Sequence, residues 1–437
     1  MMRHREWKMW VRSKPWALRW FIYLVLLRPV IDNLYYLKHV SPFLSPLYIV
    51  GVLSPLLALG AIMRYKMRFN APADRSFRVW SVMLLIISTM MLILWGLSLA
   101  TLSNVLKFIM PVYLYFFLRV FIRDRYDLEG LIRTFMYSLL IVMAIFVYEV
   151  FIGPIRITES RGLTRFQGNF GDVFNYGLYI TFGLIFMAYR HLKTGSYRLN
   201  LRSITRLLLV LGIGVLVLLR INHAATLIVF STIVFIFFYY ITRRNAIPIV
   251  MLVFLGVILF QSKGDQLFDE NVNPLFEKEF QVLSGDVNEE QLFHGRYGRW
   301  LYFMDYYQQQ SLPAQLISVP LFNPGDPVFL TTGGGSHNDF IRIGMYTGLI
   351  GLFFYLLFHW RIFRLSRSAP IEDRFLIVGS LAMLMLYSVT LTPTLYAPLL
   401  YMLYAIFAYA VGDAQSRSIA MKAPPISTPD GRPETRT

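Results

Sequence analysis

The chain has 437 residues, of which 56% are hydrophobic and only 15% are charged, and its mean hydropathy is +0.52. Soluble domains carry about a quarter charged residues, so this composition excludes an ordinary soluble protein. The chain contains no cysteine, which excludes disulfides, thiolate metal sites and cysteine nucleophiles. Its net charge of +17 does not indicate a nucleic-acid partner, because membrane proteins concentrate basic residues in their cytoplasmic loops.

Apolar runs of about 20 residues recur along the whole chain, and each is long enough to cross a bilayer as a helix. The basic N-terminal segment lacks a small-residue cleavage site after its apolar run, so we expect a retained first span. These runs predict an all-α, polytopic membrane protein of about 12 transmembrane helices. The predicted spans are 17–34, 45–63, 79–97, 101–122, 131–152, 169–189, 207–220, 222–241, 246–261, 338–359, 375–391 and 395–411.

The distribution of basic residues predicts the orientation of these spans. With the N-terminus inside, the seven inner segments hold 29 of the 42 Lys and Arg residues. This asymmetry follows the positive-inside rule and predicts a multi-pass inner-membrane protein with both termini in the cytoplasm.

Two non-spanning segments complete the predicted organisation, in which residues 1–413 form one transmembrane domain. The long loop, about 262–336, faces outside and carries ten acidic against four basic residues. Its sequence GRYGRWLYFMDYYQQQ spaces aromatic residues as a helix would, so we expect a helix at the membrane surface. The polar, proline-containing segment 414–437 is predicted to be a disordered cytoplasmic tail.

Several arginines lie on the predicted outer side, although the positive-inside rule concentrates basic residues on the inner side. They are Arg156, Arg161, Arg165, Arg220, Arg296 and Arg299. Each alone could be an arginine at a helix end whose head reaches the interface. Together they predict an anion site on the outer face, because the planar guanidinium binds phosphate through two parallel hydrogen bonds.

Four further charged residues lie in or beside predicted spans. Arg28 and Asp32 are four residues apart and could pair on one helix face. We favour a structural or positioning role for this pair over a catalytic one. Lys107 and Asp172 receive no assignment from the sequence.

The start of the tenth predicted span, GGGSHNDFIRIGMYTGLIG, places His337 at its outer end. Gly344, Gly348 and Gly351 follow at helical spacing, within about 40° of His337 around the axis. They predict a small-residue stripe beneath His337 that lets neighbouring helices approach closely. Asn338 and Arg342 share an adjacent face, and Asp339 has no predicted role.

This segment resembles the His-Asn-x9-Gly-x-x-Gly pattern of bacterial O-antigen ligases and O-antigen polymerases, which are multi-spanning class C glycosyltransferases. GRYGRW resembles the family's Gly-Arg-x-x-x-Trp motif, with Arg296 and Trp300. RFQGNFGDVFNYG resembles the stretch that opens a span, with Arg165, and LRINHAATL resembles the stretch around Arg220, with Leu219 replacing the usual serine. The resemblance covers residues 160–360.

The resemblance implies that a glycan is transferred from an undecaprenyl-pyrophosphate donor to a glycan or lipid-core acceptor at the outer face of the bacterial cytoplasmic membrane. It implies a metal-independent, inverting polysaccharide polymerase or ligase without a cofactor, with His337 as the general base. The implied substrate-binding residues are Arg165, Arg220, Arg296, Arg299, Asn338 and Arg342.

A transporter is the main alternative, either a flippase for lipid-linked glycans or a secondary carrier. Inverted repeats and broken helices at the membrane midplane would favour it, and the sequence has no such repeat. No HExxH motif indicates a metal site, and no Walker A loop indicates ATP chemistry.

Overall fold

The computed structural model describes residues 2–41, 44–65, 69–156, 158–160, 163–172, 174–194, 201–242, 269, 273–323 and 335–422. Most of them are helical. The helices are α1 (His4–Ser13), α2 (Trp16–Asn33), α3 (Leu37–Val40), α4 (Pro46–Tyr65), α5 (Pro72–Trp95), α6 (Leu99–Phe121), α7 (Arg125–Ile152), α8 (Phe174–Lys193), α9 (Leu201–Ile221), α10 (Ala224–Thr242), α11 (Asn273–Leu283), α12 (Leu292–Gln308), α13 (Leu312–Ile317), α14 (Val319–Phe322), α15 (Asp339–Ser366), α16 (Ile371–Thr390) and α17 (Ala397–Lys422), with 3₁₀ turns at Glu289–Gln291 and Pro393–Leu395.

One small β-hairpin interrupts the helical pattern between α7 and α8. Strand β1 (Thr158–Ser160) pairs antiparallel with β2 (Leu163–Arg165), and Thr158 lies opposite Arg165. The all-α prediction is correct for the bundle but missed this hairpin. Strands of three residues are too short to produce a recognisable alternating pattern in the sequence.

Among the described residues, eight helices are long and apolar enough to cross a membrane: α4, α5, α6, α7, α10, α15, α16 and α17. The predicted spans 17–34, 169–189 and 207–220 are also helical, as α2, α8 and α9. The predicted span 246–261 lies outside the described residues. The chain is therefore a multi-pass helical membrane protein, and the number of twelve spans stays a prediction.

Two predictions about helix boundaries have a clear outcome. The apolar runs on either side of residue 222 form separate helices, α9 and α10, because Asn222 has a left-handed backbone with φ of 47°. The aromatic helix predicted in the long loop is α12, and its short neighbours α11, α13 and α14 lie in the same loop.

Buried charge clusters hold one end of the bundle together. The Arg119 guanidinium is 1% exposed and lies 3.2 Å from the Asp74 carboxylate, which also accepts the Tyr115 hydroxyl at 2.7 Å. Arg119 donates to Gln415 as well. These contacts join the start of α5, the end of α6 and the end of α17. Removing one partner of such a buried pair costs about 3–5 kcal/mol, because the other charge stays buried without compensation.

A second cluster lies at the same end. The Arg125 guanidinium bridges Glu372 at 2.8 Å and Asp373 at 2.7 Å, and the Tyr409 hydroxyl donates to Asp373 at 2.9 Å. The starts of α7 and α16 therefore meet the last helix here. We call this end, defined by Asp74, Arg119, Arg125 and Asp373, the ion-pair end.

The N-terminal helix α1 also docks at the ion-pair end. The Trp10 indole donates to Asp127 at 3.0 Å, and the Trp7 indole donates to Thr134 at 3.0 Å. Gly130 leaves room for the Trp10 ring, since a Cβ there would lie 2.4 Å from it. The N-terminal helix and the end of α17 thus share one end of the molecule, as the predicted topology requires.

Helix α17 is the central helix of the bundle. Its window Ala397–Ser418 is 83% buried, the highest fraction among the candidate spans. A helix that is apolar all round suits such a position because every face meets another helix. The helix continues to Lys422, so residues 414–422 of the predicted tail are helical, and the segment 423–437 lies outside the described residues.

Helix α15 is kinked at Gly348, whose φ of 62° and ψ of −178° are accessible essentially only to glycine. A Cβ at this position would lie 2.3 Å from the carbonyl oxygen of Leu316 in α13, whereas one at Gly344 would meet nothing closer than 3.6 Å. The predicted glycine stripe beneath His337 is therefore wrong. His337 precedes the helix, and of the three glycines only Gly348 lies against the backbone of a neighbouring element.

We expect Gly348→Ala to lower the free energy of unfolding by about 3 kcal/mol or more, because it combines backbone strain with a steric clash. Gly344→Ala is the matched control on the same helix and should be neutral or slightly stabilising, since alanine favours helix. Thermal unfolding of the detergent-purified variants measures both effects. Equal midpoints for the two variants would contradict the role of the kink.

Candidate functional site

A cavity of about 790 Å³ opens between the helices at the end opposite the ion-pair end. The segments that line it include α2, α4, α6, the loop after β2, the start of α10, the loop helices α11 and α12, and the connection between α16 and α17. The charged, histidine and tyrosine residues that line it are Arg28, Asp32, Tyr35, Lys38, Tyr48, Lys107, Tyr113, Arg165, Asp172, His223, Glu279, Arg296, His337, Tyr396 and Tyr401.

His337 lines this cavity and lies two residues before α15. Its backbone is left-handed, with φ of 45°, a conformation that is uncommon for residues other than glycine. The neighbouring Ser336 carbonyl accepts the Trp300 indole N–H at 2.9 Å, which fixes the backbone from the side of α12. No described residue forms a hydrogen bond with the His337 imidazole, so its ring nitrogens are available to a ligand.

Asn338 holds the start of α15 and does not line the cavity. Its side-chain oxygen accepts the backbone N–H groups of Phe340 and Ile341 at 2.9 and 3.1 Å, as an N-cap does. Its amide nitrogen donates to the Val389 carbonyl at 3.1 Å, which ties α15 to α16. These contacts fix the start of α15 directly after His337, and the predicted substrate contact of Asn338 stays a prediction.

Arg342 is buried and committed to Asp339, whose carboxylate it contacts at 2.6 and 2.9 Å. Thr394 completes this cluster, since its backbone N–H and its hydroxyl both donate to Asp339 at 2.9 Å. Arg342 is absent from the cavity lining, so the geometry gives no support to its predicted substrate contact. Asp339, which had no predicted role, is the acceptor on which the cluster depends.

The two arginines of α12 occupy different positions. Arg296 lines the cavity and donates to the Thr390 carbonyl at 2.7 Å, which holds α12 against the end of α16. Arg299 is exposed and lies in a separate shallow depression beside Glu290 and Gly335. Of this predicted pair, only Arg296 reaches the cavity.

Arg165 also lines the cavity, at the end of β2. Its loop is fixed by Glu149, a fully buried carboxylate at the end of α7. Glu149 accepts the Gly168 backbone N–H at 2.9 Å, the Ile155 backbone N–H at 3.1 Å and the Tyr176 hydroxyl at 2.7 Å. One carboxylate therefore anchors both sides of the hairpin that presents Arg165.

Arg220 contacts the same loop at Phe166, outside the cavity lining. Its carbonyl accepts the Phe166 backbone N–H at 3.0 Å, and its guanidinium lies over the Phe166 ring at 5.6 Å. Arg220 is exposed and is not part of the cavity lining. The geometry thus separates Arg220 from Arg165 and Arg296, although the sequence grouped the three together. Arg156 is exposed, and Arg161 lies outside the described residues.

His223 is a second histidine in the cavity, and the sequence analysis assigned no role to it. Its Nδ1 accepts the backbone N–H of Thr226 at 3.3 Å and lies 2.7 Å from the Thr226 hydroxyl. Because Nδ1 accepts, the neutral ring carries its proton on Nε2, so its remaining hydrogen-bonding group is a donor. Burial is the main reason why the pKa of His223 is lowered to about 4. The charges of Arg165 and Arg296 also lower it, whereas the Asp172 charge opposes the shift. The imidazole of His223 is therefore neutral at pH 7.

The pKa of His337 is also lowered from its ordinary value. Burial is the main cause, and the positive charges of Arg296 and Arg299 act in the same direction, while Asp172 opposes them. The imidazole is therefore neutral at pH 7 and can accept a proton. Of the two cavity histidines, His337 is the one whose ring nitrogens form no hydrogen bond with a described residue.

Asp172 links the loop after β2 to the connection between α16 and α17. Its carboxylate accepts the Tyr396 hydroxyl at 2.8 Å and the Phe174 backbone N–H at 2.9 Å. Burial and the Asp172 charge raise the pKa of Tyr396, so this phenol keeps its proton. Asp172 is thus a structural acceptor at the cavity surface, beside the two histidines.

Backbone strain within the described chain is concentrated at this cavity. Three non-glycine residues there have a positive φ: Asn222, Phe293 and His337. Phe293 and His337 line the cavity, and Asn222 immediately precedes His223, which also lines it. Strained residues of this kind persist where the surrounding structure fixes them, and they cluster at binding and active sites.

Positive charge dominates the cavity. Its described lining includes five Lys or Arg residues against three Asp or Glu residues. Apolar side chains such as Leu47, Val50, Leu102 and Ile228 cover much of the remaining wall. In the described part of the chain, no three His, Cys, Asp or Glu residues group as a metal site would require. The cavity therefore suits a ligand with both an anionic group and an apolar part.

Several cavity residues escaped the sequence interpretation. Lys38 could have been noticed, because it follows the first predicted span on the outer side, where the positive-inside rule disfavours lysine. His223 could not have been separated from the other histidines, since its contact with Thr226 depends on the fold. Tyr396 and Tyr401 resemble ordinary tyrosines at a membrane interface.

Comparison with known protein families and with curated proteins finds no match for this chain. The cavity and the sequence motifs are therefore the features that bear on its function.

We expect Glu149→Ala to lower the free energy of unfolding by about 3 kcal/mol, because it leaves three donors without their acceptor, each at about 1–3 kcal/mol. Glu149→Gln is the matched control, since its amide oxygen still accepts hydrogen bonds, and it should cost clearly less. Thermal unfolding in detergent compares the two. Equal destabilisation by both variants would contradict the role of Glu149 as an acceptor.

Proposed function

We propose that this protein is a membrane glycosyltransferase that moves a glycan from an undecaprenyl-pyrophosphate donor to a glycan acceptor, as a polysaccharide polymerase or ligase. The observation that carries the proposal is the cavity itself. It joins His337, Arg165 and Arg296, which are distant in sequence and come from three of the motifs that resemble the O-antigen ligase and polymerase family.

The chemistry of the cavity is consistent with such a donor. A lipid pyrophosphate combines an anion with a long apolar chain, and the cavity combines a surplus of cations with apolar walls. Arg165 and Arg296 are the arginines placed to stabilise the charge of the leaving pyrophosphate. Arg220 and Arg299 lie outside the cavity lining and contribute indirectly. Arg220 holds the loop at Phe166, and the charge of Arg299 lowers the pKa of His337.

The proposed step is a direct displacement at the anomeric carbon of the donor sugar. The acceptor hydroxyl oxygen forms a bond to this carbon, while the bond between the carbon and the pyrophosphate oxygen breaks. The hydroxyl proton passes to His337, and the pyrophosphate leaves on its lipid with the bonding electrons. This single displacement inverts the anomeric centre, and the arginines stabilise the charge on the leaving group.

The proposed orientation places the cavity on the outer side of the cytoplasmic membrane. The N-terminal helix and the end of α17 meet at the ion-pair end, and the basic connecting segments follow the positive-inside rule. The cavity lies at the opposite end, where a lipid-linked donor exposed on the outer leaflet would meet it.

His337→Ala should reduce glycan transfer at least 100-fold, because a positioned general base contributes about 10²- to 10⁴-fold. The assay uses purified protein with lipid-linked donor and acceptor and measures the formation of the new glycosidic bond. His4→Ala, at the ion-pair end, is the control and should retain activity. Wild-type protein that moves the donor across a vesicle bilayer without forming a bond would support a flippase instead.

Arg299→Gln should shift the acidic limb of the rate profile to higher pH. The Arg299 charge helps to hold the pKa of His337 below its usual range, so removing it raises this pKa and protonates the base at a higher pH. The ratio of variant to wild-type kcat/KM should therefore fall as the pH is lowered and recover at high pH. A ratio independent of pH would mean that Arg299 does not act through His337.

A further inference from the structure

Two lysines on separate elements line the same part of the cavity. Lys38 belongs to the short helix α3, and Lys107 belongs to α6. The Lys38 ammonium lies over the Tyr35 ring, 3.6 Å from its centroid. The Lys107 ammonium forms no hydrogen bond or ion pair with any described residue, although its side chain reaches the cavity.

The electrostatic neighbours of Lys107 are Lys38, which repels it, and Tyr35. Those of His337 are Arg296, Arg299 and Asp172. The lysines belong to α3 and α6, whereas His337 precedes α15, so different elements present the two groups to one cavity.

The structure fixes the segment between α2 and α3, which includes the Tyr35 ring beneath Lys38. Asn33 accepts the backbone N–H of Asn169 at 3.0 Å, and the Asn169 amide donates back to the Asn33 carbonyl at 2.8 Å. The Tyr35 ring packs against Gly171 so closely that a Cβ there would lie 2.9 Å from the ring. The surface beneath Lys38 is thus held by the same loop that carries Arg165 and Asp172.

The carboxylates of the cavity do not neutralise this pair. Asp32 is bound to Arg28 through two contacts, of 3.0 and 2.9 Å, and Asp172 accepts the Tyr396 hydroxyl. Glu279 is the third carboxylate of the described lining, which contains five Lys or Arg residues in total. The positive charges therefore still outnumber the negative ones. Two neighbouring ammonium groups repel each other, and an anion between them would remove this repulsion.

We propose that Lys38 and Lys107 form an anion subsite that binds the phosphate of a phosphate-bearing lipid and is separate from Arg165 and Arg296. The apolar side chains of α4 and α6 beside the lysines, such as Leu47 and Leu102, provide a surface for the lipid chain. The phosphate chemistry follows from the lysines, and the lipid as its source rests on the proposed function. The subsite gives the cavity a second pair of cations besides Arg165 and Arg296, carried by other elements of the fold.

Isothermal titration calorimetry on the purified full-length chain in detergent tests this subsite with two probes, undecaprenyl phosphate and inorganic pyrophosphate. Lys38→Met and Lys107→Met should each weaken binding of undecaprenyl phosphate about tenfold, because each removes a charge-assisted contact. Lys107→Arg should retain most of the affinity. Arg64→Met, which removes one exposed positive charge far from the cavity, is the control and should bind like wild type.

The two probes separate the sources of the phosphate. Lysine-dependent binding of the lipid that is tighter than that of pyrophosphate supports the lipid subsite, whereas binding of pyrophosphate alone overturns the assignment to a lipid. Wild-type affinity in both methionine variants, or no binding by the wild-type chain, overturns the subsite. Thermal unfolding midpoints equal to wild type exclude misfolding as the cause of weaker binding.

His337→Ala separates this inference from the proposed function. The histidine lies outside the lysine pair, so this variant should bind undecaprenyl phosphate as wild type does. If the chain forms no glycosidic bond but its lysines still bind the lipid phosphate, the transferase proposal fails and the subsite stands. If bond formation depends on His337 but binding is independent of the lysines, the subsite fails and the transferase proposal stands.

Discussion

The placement of His337 depends on one buried carboxylate. Asp339 is fully buried and accepts hydrogen bonds from Arg342 and from both donor groups of Thr394. These bonds join the first turn of α15 to the connection between α16 and α17, and Tyr396 in that connection reaches Asp172. A charge buried in a membrane protein is tolerated only with such partners, so the cluster can form in essentially one arrangement. The Asp339 cluster therefore positions His337 and, through Tyr396, the loop that carries Asp172 relative to each other.

Hydrophobic pattern and charge asymmetry were enough to predict the helical bundle, because both act over lengths of about 20 residues. The sequence also identified His337, Arg165 and Arg296 as neighbours through their motifs. It did not reveal the structural contacts of Asn338 with Val389 and of Arg342 with Thr394, because these partners are more than 50 residues away, and it missed the ion pair of Arg342 with nearby Asp339. The prediction of the glycine stripe was wrong because it assumed an ideal helix from His337 onward. His337 lies before the helix, and the backbone at Gly348 is not helical.

The two ends of the bundle treat charge in opposite ways. At the ion-pair end, Arg119 and Arg125 are matched by carboxylates within hydrogen-bonding distance, so charge there stabilises the fold. In the cavity, cations exceed carboxylates, and non-glycine residues adopt strained backbones. Uncompensated charge and strain both reduce stability, and proteins retain them mainly where a ligand uses them. Charge and strain therefore distinguish the ion-pair end, where charges stabilise the fold, from the end that carries the proposed binding site.

Helix α4 forms a wall of the cavity with its residues from Leu47 to Ser54, yet only 22% of its apolar window is buried. Among the described residues, no side-chain hydrogen bond or ion pair joins α4 to another helix, so dispersion contacts hold it in place. Pro55 lacks an N–H and leaves the Gly51 carbonyl without its helical donor at the cavity surface. Within the described part of the chain, sideways displacement of α4 would break no side-chain hydrogen bond or ion pair to another helix, so opening the cavity toward the surrounding lipid at this wall would cost only apolar contacts.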